Sequence, residues 1–265
     1  MNIVIIIPAR LQSTRFPGKP LFGLRGANGL AKPLIQRSYE AARKVTGVSG
    51  IFIATDDAGI ADACRGFRAG VIMTSPECRN GTERCAEALP SVIEPDLIIN
   101  FQGDALLTPP HFVEALVEAM RSDPETLVAT PAIRLTTDEL HMLQAEEAAG
   151  RVGGTSVVVG SDGRALYFSK RLLPYVPAAA PDDHISPVRQ HVGVYAYRPT
   201  ALRRYMEAPV SELEQLEGLE QLRFLTAGIP VKVVEVARPP YSLRELNNPE
   251  DVEQIETALA EAGVE

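Results

Sequence analysis

Asn2-Ile-Val-Ile-Ile-Ile-Pro8 is a nearly unbroken run of β-branched residues. Such side chains favour extended backbone, and a run that is apolar at odd and even positions alike suits a strand buried on both faces, as in a parallel sheet. Outward from it, short apolar runs recur at Ile51 to Ala54, Val71 to Thr74, Leu97 to Phe101 and Leu127 to Pro131. Helical patterns lie between them at Pro33 to Val45, Ile60 to Phe67, Thr82 to Leu89 and Pro110 to Arg121. The last of these carries Phe112, Val113, Leu116, Val117 and Met120 on one face. Strands alternating with helices at this spacing predict an α/β fold with a doubly wound, mostly parallel sheet.

After about Gly150 the pattern changes. Ser156 to Gly160 and Ala165 to Ser169 flank Ser161-Asp-Gly163, a hairpin turn, which predicts a smaller inserted β element over about 150–200 within a single domain spanning 1–265. Pro174 to Pro187 (PYVPAAAPDDHISP) holds four prolines, which predicts a loop over the surface or onto a partner subunit rather than a regular central strand. His191 to Tyr197 reads as a strand, Glu212 to Ala227 as a helix, Val231 to Val236 as a strand and Pro249 to Ala262 as a last helix behind an asparagine cap.

The 265 residues are 45% hydrophobic and 23% charged, an ordinary globular composition. A net charge of −8 argues against a broad nucleic-acid surface. The longest apolar run, Ile3 to Ile7, falls far short of the roughly 20 residues that cross a membrane, so the expectation is a cytoplasmic protein without membrane insertion. Cys64, Cys78 and Cys85 have no C-x-x-C spacing and imply neither disulfides nor zinc. The charge is unevenly spread: Arg10, Arg15, Lys19, Arg25, Lys32 and Arg37 precede the first acid, Glu40, so residues 1 to 39 carry +6 and the remainder −14.

In a parallel α/β sheet the ligand crevice lies at the carboxyl ends of the strands, and the loop that leaves the first strand, Pro8 to Pro20, faces it. The loop holds three cations and two hydroxyls and no acid. Arginine grips phosphate oxygens as a fork, lysine supplies a compact charge, and Gly18 permits close backbone approach, so a triphosphate suits it. It is not a Walker A loop, because Pro20 follows Gly18-Lys19 and Ser13 stands where that motif needs glycine; nor do Gly23, Gly26 and Gly29 have dinucleotide spacing.

The pattern P-A-R-x-x-S-T-R-x-P-G-K-P at residues 8–20 resembles the signature of CMP-Kdo synthetases, the 3-deoxy-manno-octulosonate cytidylyltransferases. The resemblance continues in order through Ala54-Thr-Asp-Asp57, Asn80-Gly-Thr-Glu-Arg84, Asn100-Phe-Gln-Gly-Asp104, Ala165-Leu-Tyr-Phe-Ser169, His191-Val-Gly-Val-Tyr-Ala-Tyr197, Leu219-Glu-Gln-Leu-Arg223 and Pro249-Glu-Asp251. It implies a nucleotide-diphospho-sugar transferase-like fold and transfer of CMP from CTP to the anomeric hydroxyl of 3-deoxy-manno-octulosonate (Kdo), with release of pyrophosphate, for lipopolysaccharide or capsule synthesis. An acceptor that is another acidic ketose, or a non-catalytic paralogue that only binds, are the alternatives.

The resemblance implies that Arg10, Arg15, Lys19 and Asp104 are catalytic. It implies that Pro8, Ala9, Arg10, Ser13, Thr14, Arg15, Lys19, Asn80, Gly81 and Arg84 hold the nucleotide. Gln102, Lys170, His191, Tyr195, Glu220 and Gln221 would hold the sugar, and Asp104 with Asn247 would hold Mg²⁺, in a homodimer that uses the proline-rich segment. Several positions depart from the family pattern. Ala105 and Leu106 follow Asp104 in place of Glu-Pro, Asn247 stands for a metal-binding aspartate, Lys170 for an arginine, Ser156 for a lysine and Asn80 for a serine. Asparagine offers a metal one neutral oxygen, so the departure at Asn247 removes negative charge.

Overall fold

The computed structural model describes residues 1–12, 16–177, 185–243 and 245–265. In chain order its elements are β1 (Ile3–Ala9), β2 (Gly23–Arg25), β3 (Ala31–Pro33), α1 (Leu34–Ala42), β4 (Gly50–Thr55), α2 (Ala58–Gly66), β5 (Gly70–Met73), α3 (Gly81–Ala88), β6 (Leu97–Phe101), α4 (Pro110–Ser122) and β7 (Val128–Thr136). There follow α5 (Thr137–Ala148), β8 (Ser156–Val159), β9 (Ala165–Ser169), β10 (Ile185–His191), β11 (Val194–Tyr197), α6 (Pro199–Glu207), α7 (Glu212–Glu217), α8 (Leu222–Thr226), β12 (Val231–Glu235) and α9 (Val252–Glu261).

β1 lies inside the sheet, parallel to β4 on one edge and to β6 on the other, and β4 carries β5. All seven of its residues are buried. Ile3, Ile5 and Ile7 enter one layer of the core with Ala41 of α1, Ile60 of α2 and Leu116 of α4. Val4 and Ile6 enter the other with Cys85 of α3, Leu202 of α6 and Phe224 of α8. Burying each isoleucine contributes about 1.5–3 kcal/mol. This is the doubly wound arrangement, and strand order reverses at β1, so the crevice above the carboxyl ends of β1 and β6 is its switch point.

The second half extends the same sheet, in the order β5-β4-β1-β6-β11-β7-β10-β8-β9, with β12 on the free edge of β7. β10 and β11 run antiparallel to β7, but β11 also pairs with β6 and β10 with β8. The strand expected over His191 to Tyr197 is therefore interrupted at Val192 and Gly193, where the chain changes partners. The β8–β9 hairpin forms as expected, and its turn reaches β12 through Val233 N–H to the Gly163 carbonyl, 2.9 Å. Pro187 sits within β10, where the register slips between Ile185 and Arg189, the kind of irregularity at which a sheet tolerates proline. Residues 178–184 of the proline-rich segment lie outside the described residues.

Other expectations need correction. The helix expected over Glu212 to Ala227 is two, because Gly218 adopts the left-handed conformation (φ 60°) and ends α7. The last helix begins as a 3-10 turn, Pro249–Asp251, which Asn248 caps. α5 escapes the periodicity because it buries only Leu140 and Leu143, although Thr136 and Glu139 form a capping box at its start. The β2–β3 hairpin and α6 also lack a clear sequence signal. Ile255 and Leu259 of α9 pack with Phe16, Leu106, Leu107 and Leu246, joining the cationic loop, the segment after Asp104 and the C-terminal segment in one small core. Among the described residues no helix is long and apolar enough to cross a membrane.

Candidate active site

The floor of the switch-point crevice is built by close backbone contact. A Cβ on Gly103 would stand 2.7 Å from the Pro8 carbonyl oxygen, and one on Gly81 would stand 2.8 Å from Gln102 Nε2. Glycine at both positions brings the end of β1, the turn after β6 and the N-terminus of α3 together. Ala9 is buried and Arg10 is exposed at the rim, its guanidinium 3.5 Å from the Arg79 carbonyl. Ser13, Thr14 and Arg15 lie outside the described residues. Gly18 N–H closes the loop onto the Leu11 carbonyl at 3.2 Å, and its φ of 74° starts the 3-10 turn that carries Lys19. Here glycine is required by conformation, and among the described residues nothing lies within 4 Å of a Cβ at this position. Lys19 Nζ donates to Asp104 Oδ2 at 2.5 Å, with side-chain exposures of 17% and 20%.

The +6 of the first 39 residues divides into two groups. Arg25 pairs with Glu256 and Lys32 with Glu40. Arg37 is buried and donates to the carbonyls of Leu24, Leu30 and Glu265, and burial lowers its pKa. These three cations hold the fold, which leaves Arg10 and Lys19, among the described residues of this stretch, at the crevice.

On the opposite wall the Asn80 side chain is spent within the protein. Its Oδ1 accepts from Glu83 N–H at 2.8 Å and caps α3, while Nδ2 donates to Tyr205 Oη at 3.0 Å and approaches Glu214 Oε1 at 3.4 Å. Glu220 accepts from Thr82 N–H at 2.8 Å and Gln102 Nε2 at 3.1 Å, so one carboxylate fixes the first turn of α3 and the glutamine beside Asp104. Burial raises the Glu220 pKa and these hydrogen bonds oppose it. Thr82 Oγ1 meets Tyr197 Oη at 2.9 Å. Arg84 is buried, with Asp56 Oδ1 at 3.0 Å and Thr74 Oγ1 at 2.5 Å, and ties α3 to the ends of β4 and β5.

Sequence reasoning missed the cation that organises this wall. Arg223 is 1% exposed, lies over the Tyr205 ring, and donates to Glu214 (2.6 and 2.7 Å) and to Glu83 (2.9 Å). Glu83 also accepts from Arg79 N–H at 2.7 Å. The i,i+3 relation of Glu220 and Arg223 was readable, but not the fold that sets them against α3.

Of the expected sugar residues, Gln102 and Glu220 touch; Gln221 and Tyr195 are buried, and Tyr195 stacks on Tyr197. Lys170 is exposed at the end of β9, where a Cβ on Gly218 would lie 2.9 Å from its Nζ, while Arg171 pairs with Glu147. Lys170 thus reaches the α7–α8 turn, two residues from Glu220. The His191 ring contacts Phe168 and Tyr195, and burial lowers its pKa to about 3. Thr130 Oγ1 donates to the Val194 carbonyl at 2.8 Å, so His191 Nε2, 2.9 Å away, carries the proton that Thr130 accepts. His191 is accordingly neutral from pH 5 to 8. Nitrogen-15 NMR of the ring is expected to show a constant Nε2–H tautomer across that range; titration near pH 6.5 would contradict it.

Leu246 is fully buried, and Asn247 and Asn248 N–H both donate to Asp251. Asn248, not Asn247, is the helix cap. Among the described residues no group of three or more His, Cys, Asp or Glu could hold a metal ion. The Asp104 carboxylate and an asparagine amide such as that of Asn247 are hard oxygen donors. They suit a Mg²⁺ that takes one or two protein ligands and completes its shell with phosphate oxygens and water.

A loop of cations and a carboxylate at the switch point of a doubly wound sheet define a nucleotide-binding α/β protein, and the chain belongs to the cytidylyltransferase family, whose model matches residues 4–234. It is 39% identical to the 3-deoxy-manno-octulosonate cytidylyltransferase of Maricaulis maris over 99% of both chains. It is 37% identical to the 8-amino-3,8-dideoxy-manno-octulosonate cytidylyltransferase of Shewanella piezotolerans over 98% of this chain and 99% of the other. A solved structure of a CMP:2-keto-3-deoxy-manno-octonic acid synthetase complexed with CTP superposes with a TM-score of 0.83, at 37% identity, covering 99% of this chain and 100% of that one. The resemblance carried by the motifs therefore holds along the whole chain.

Proposed function

We propose that the protein transfers the cytidylyl group of CTP to the anomeric hydroxyl of Kdo. The hydroxyl oxygen attacks the α-phosphorus, the bond to the β-phosphate oxygen breaks, the hydroxyl proton passes to solvent, and pyrophosphate leaves. The observation that carries this reading is the meeting of the cationic loop with Asp104 at the β1–β6 switch point, the Lys19–Asp104 pair, in a chain related end to end to enzymes of that name. Pro8, Ala9 and Gly81 form the floor against which the nucleotide lies, and Arg84 braces it. Arg10, Arg15 and Lys19 hold the triphosphate and neutralise charge on the departing pyrophosphate, with Ser13 and Thr14 offering hydroxyls. Asp104 and Asn247 would hold Mg²⁺, which when bound supplies further charge neutralisation at the phosphates. Gln102, Lys170, His191, Tyr195, Glu220 and Gln221 bind and orient the acceptor, with Lys170 the cation for its carboxylate.

A second acceptor is favoured by a specific observation, the near-equal identity to the 8-amino relative. Pyrophosphate release at saturating CTP and Mg²⁺ separates the two: Kdo is expected to give a kcat/KM at least about tenfold above that of the 8-amino sugar, and the reverse order would replace Kdo as the substrate. A consumer of CTP belongs where nucleoside triphosphates are kept, so the cytoplasm is the compartment proposed, with lipopolysaccharide or capsule synthesis downstream. The exposed Leu166 of β9, with Tyr175 and Ile185 in the proline-rich segment itself, supports a homodimer through that segment, which the mass in solution checks.

A further inference from the structure

Lys170 stands one residue beyond β9, whose pairing with β8 stops at Ser156 and Ser169. Past that pair the Glu217 carboxylate, on the last residue of α7, takes over the backbone. Glu217 Oε2 accepts from Lys170 N–H at 2.9 Å, and Oε1 accepts from the buried Ser169 Oγ at 2.8 Å and from Tyr167 Oη at 3.4 Å. Ser169 Oγ in turn accepts from Arg171 N–H at 3.0 Å. One carboxylate thus fixes the peptides on both sides of Lys170, the first directly and the second through a serine.

The two cations that leave this stretch go different ways. Arg171 pairs with Glu147 of α5 at 3.2 Å, whereas Lys170 Nζ lies over the α7–α8 turn, 2.9 Å from the point that a Cβ on Gly218 would occupy. Glycine is therefore needed twice at position 218, by its φ of 60° and by the ammonium that lies where a side chain would begin. Two residues on, Glu220 binds Thr82 N–H and Gln102. We infer that Glu217 is a positioning residue for the acceptor: it holds the main chain at Lys170 so that the ammonium rests over Gly218, on the turn that leads to Glu220. The inference rests on the reading of Lys170 as the cation for the sugar carboxylate. A lysine carries its charge on a flexible four-carbon stem, and fixing the root of that stem lowers the cost of ordering it when the acceptor binds.

The test is steady-state pyrophosphate release with Kdo and CTP varied separately. Glu217→Ala is expected to raise the KM for Kdo about tenfold, the worth of one hydrogen bond to a charged group, and to leave the KM for CTP within about twofold. Glu217→Gln keeps one acceptor oxygen and should recover part of the loss. Gly218→Ala leaves the Glu217 carboxylate in place but sets a methyl where the ammonium lies, and it is expected to raise the same KM. In a Lys170→Met background, adding Glu217→Ala should change the KM for Kdo by less than about twofold, because its effect passes through Lys170. An unchanged KM for Kdo in Glu217→Ala overturns the inference. So do equal rises in both KM values, which mark a general structural role, and full multiplication of the two effects in the double variant. A KM for Kdo that Lys170→Met alone does not move would instead overturn the assignment of Lys170 on which the inference rests.

Discussion

Lys19→Met is expected to lower kcat by about 10²–10³-fold, the usual loss when one preorganised charge at the reacting group is removed. Lys19 stands on a short 3-10 turn with its side chain only 17% exposed, so its charge acts in a medium less screened than water. Three of the six cations of the first 39 residues are engaged elsewhere, so few remain to compensate. Lys19→Arg should recover part of the rate, because a planar fork replaces a compact charge. Removing Lys19 also leaves Asp104 without its ion-pair partner, so adding Asp104→Asn should raise the Tm of Lys19→Met while the rate stays low. A kcat for Lys19→Met within about twofold of the unmodified protein would remove Lys19 from the reaction. Arg15 carries the same expectation from the resemblance and lies outside the described residues.

Arg223→Met has the largest expected effect on stability. Methionine fills much of the arginine's volume, but Glu83 and Glu214 would be left as neighbouring buried carboxylates without their shared cation. Breaking a buried ion pair from one side costs about 3–5 kcal/mol, which in a chain of this size lowers Tm by roughly 6 °C or more. Replacing Glu83 and Glu214 by glutamine in the same variant should return a large part of the loss, since it removes the uncompensated charges. Calorimetry distinguishes the outcomes, and a shift below about 2 °C for Arg223→Met would contradict the assignment. Because Glu214 Oε1 also accepts from Asn80 and the Glu83 backbone N–H donates to it, a disturbed α3 N-terminus is expected to raise the KM for CTP as well.

The half of the fold that builds the switch-point crevice was legible because its signals are local. Five consecutive β-branched residues in β1, an apolar β6 and a clean stripe on α4 each announce a buried element within a few residues. The loop from Pro8 to Pro20 stood out in the sequence as a candidate anion site because it lacks acids. Charge counting did not show which cations serve the fold, since Arg25 meets an acid 231 residues away and Arg37 reaches the Glu265 carbonyl 228 residues away. The wall opposite the cationic loop was hidden for the same reason: Glu220 acts on Thr82 across 138 residues and Arg223 acts on Glu83. Helix periodicity also ran straight through Gly218, because a single left-handed glycine breaks a helix without disturbing the apolar spacing around it. Asn80 shows the converse. The resemblance implied contact with nucleotide, and the hydrogen bonds commit its side chain to the cap of α3 and to Tyr205.

The central claim is that the cationic loop and Asp104 together direct cytidylyl transfer to an acidic ketose. It is tested most directly by incubating the pure protein with CTP, Mg²⁺ and Kdo, and measuring pyrophosphate and the CMP-sugar together. Both are expected to form in equal amounts, to depend on all three additions, and to fall at least about a hundredfold with Lys19→Met. CTP binding without pyrophosphate release for Kdo or any other acidic ketose would contradict it and leave a nucleotide-binding protein without transferase activity.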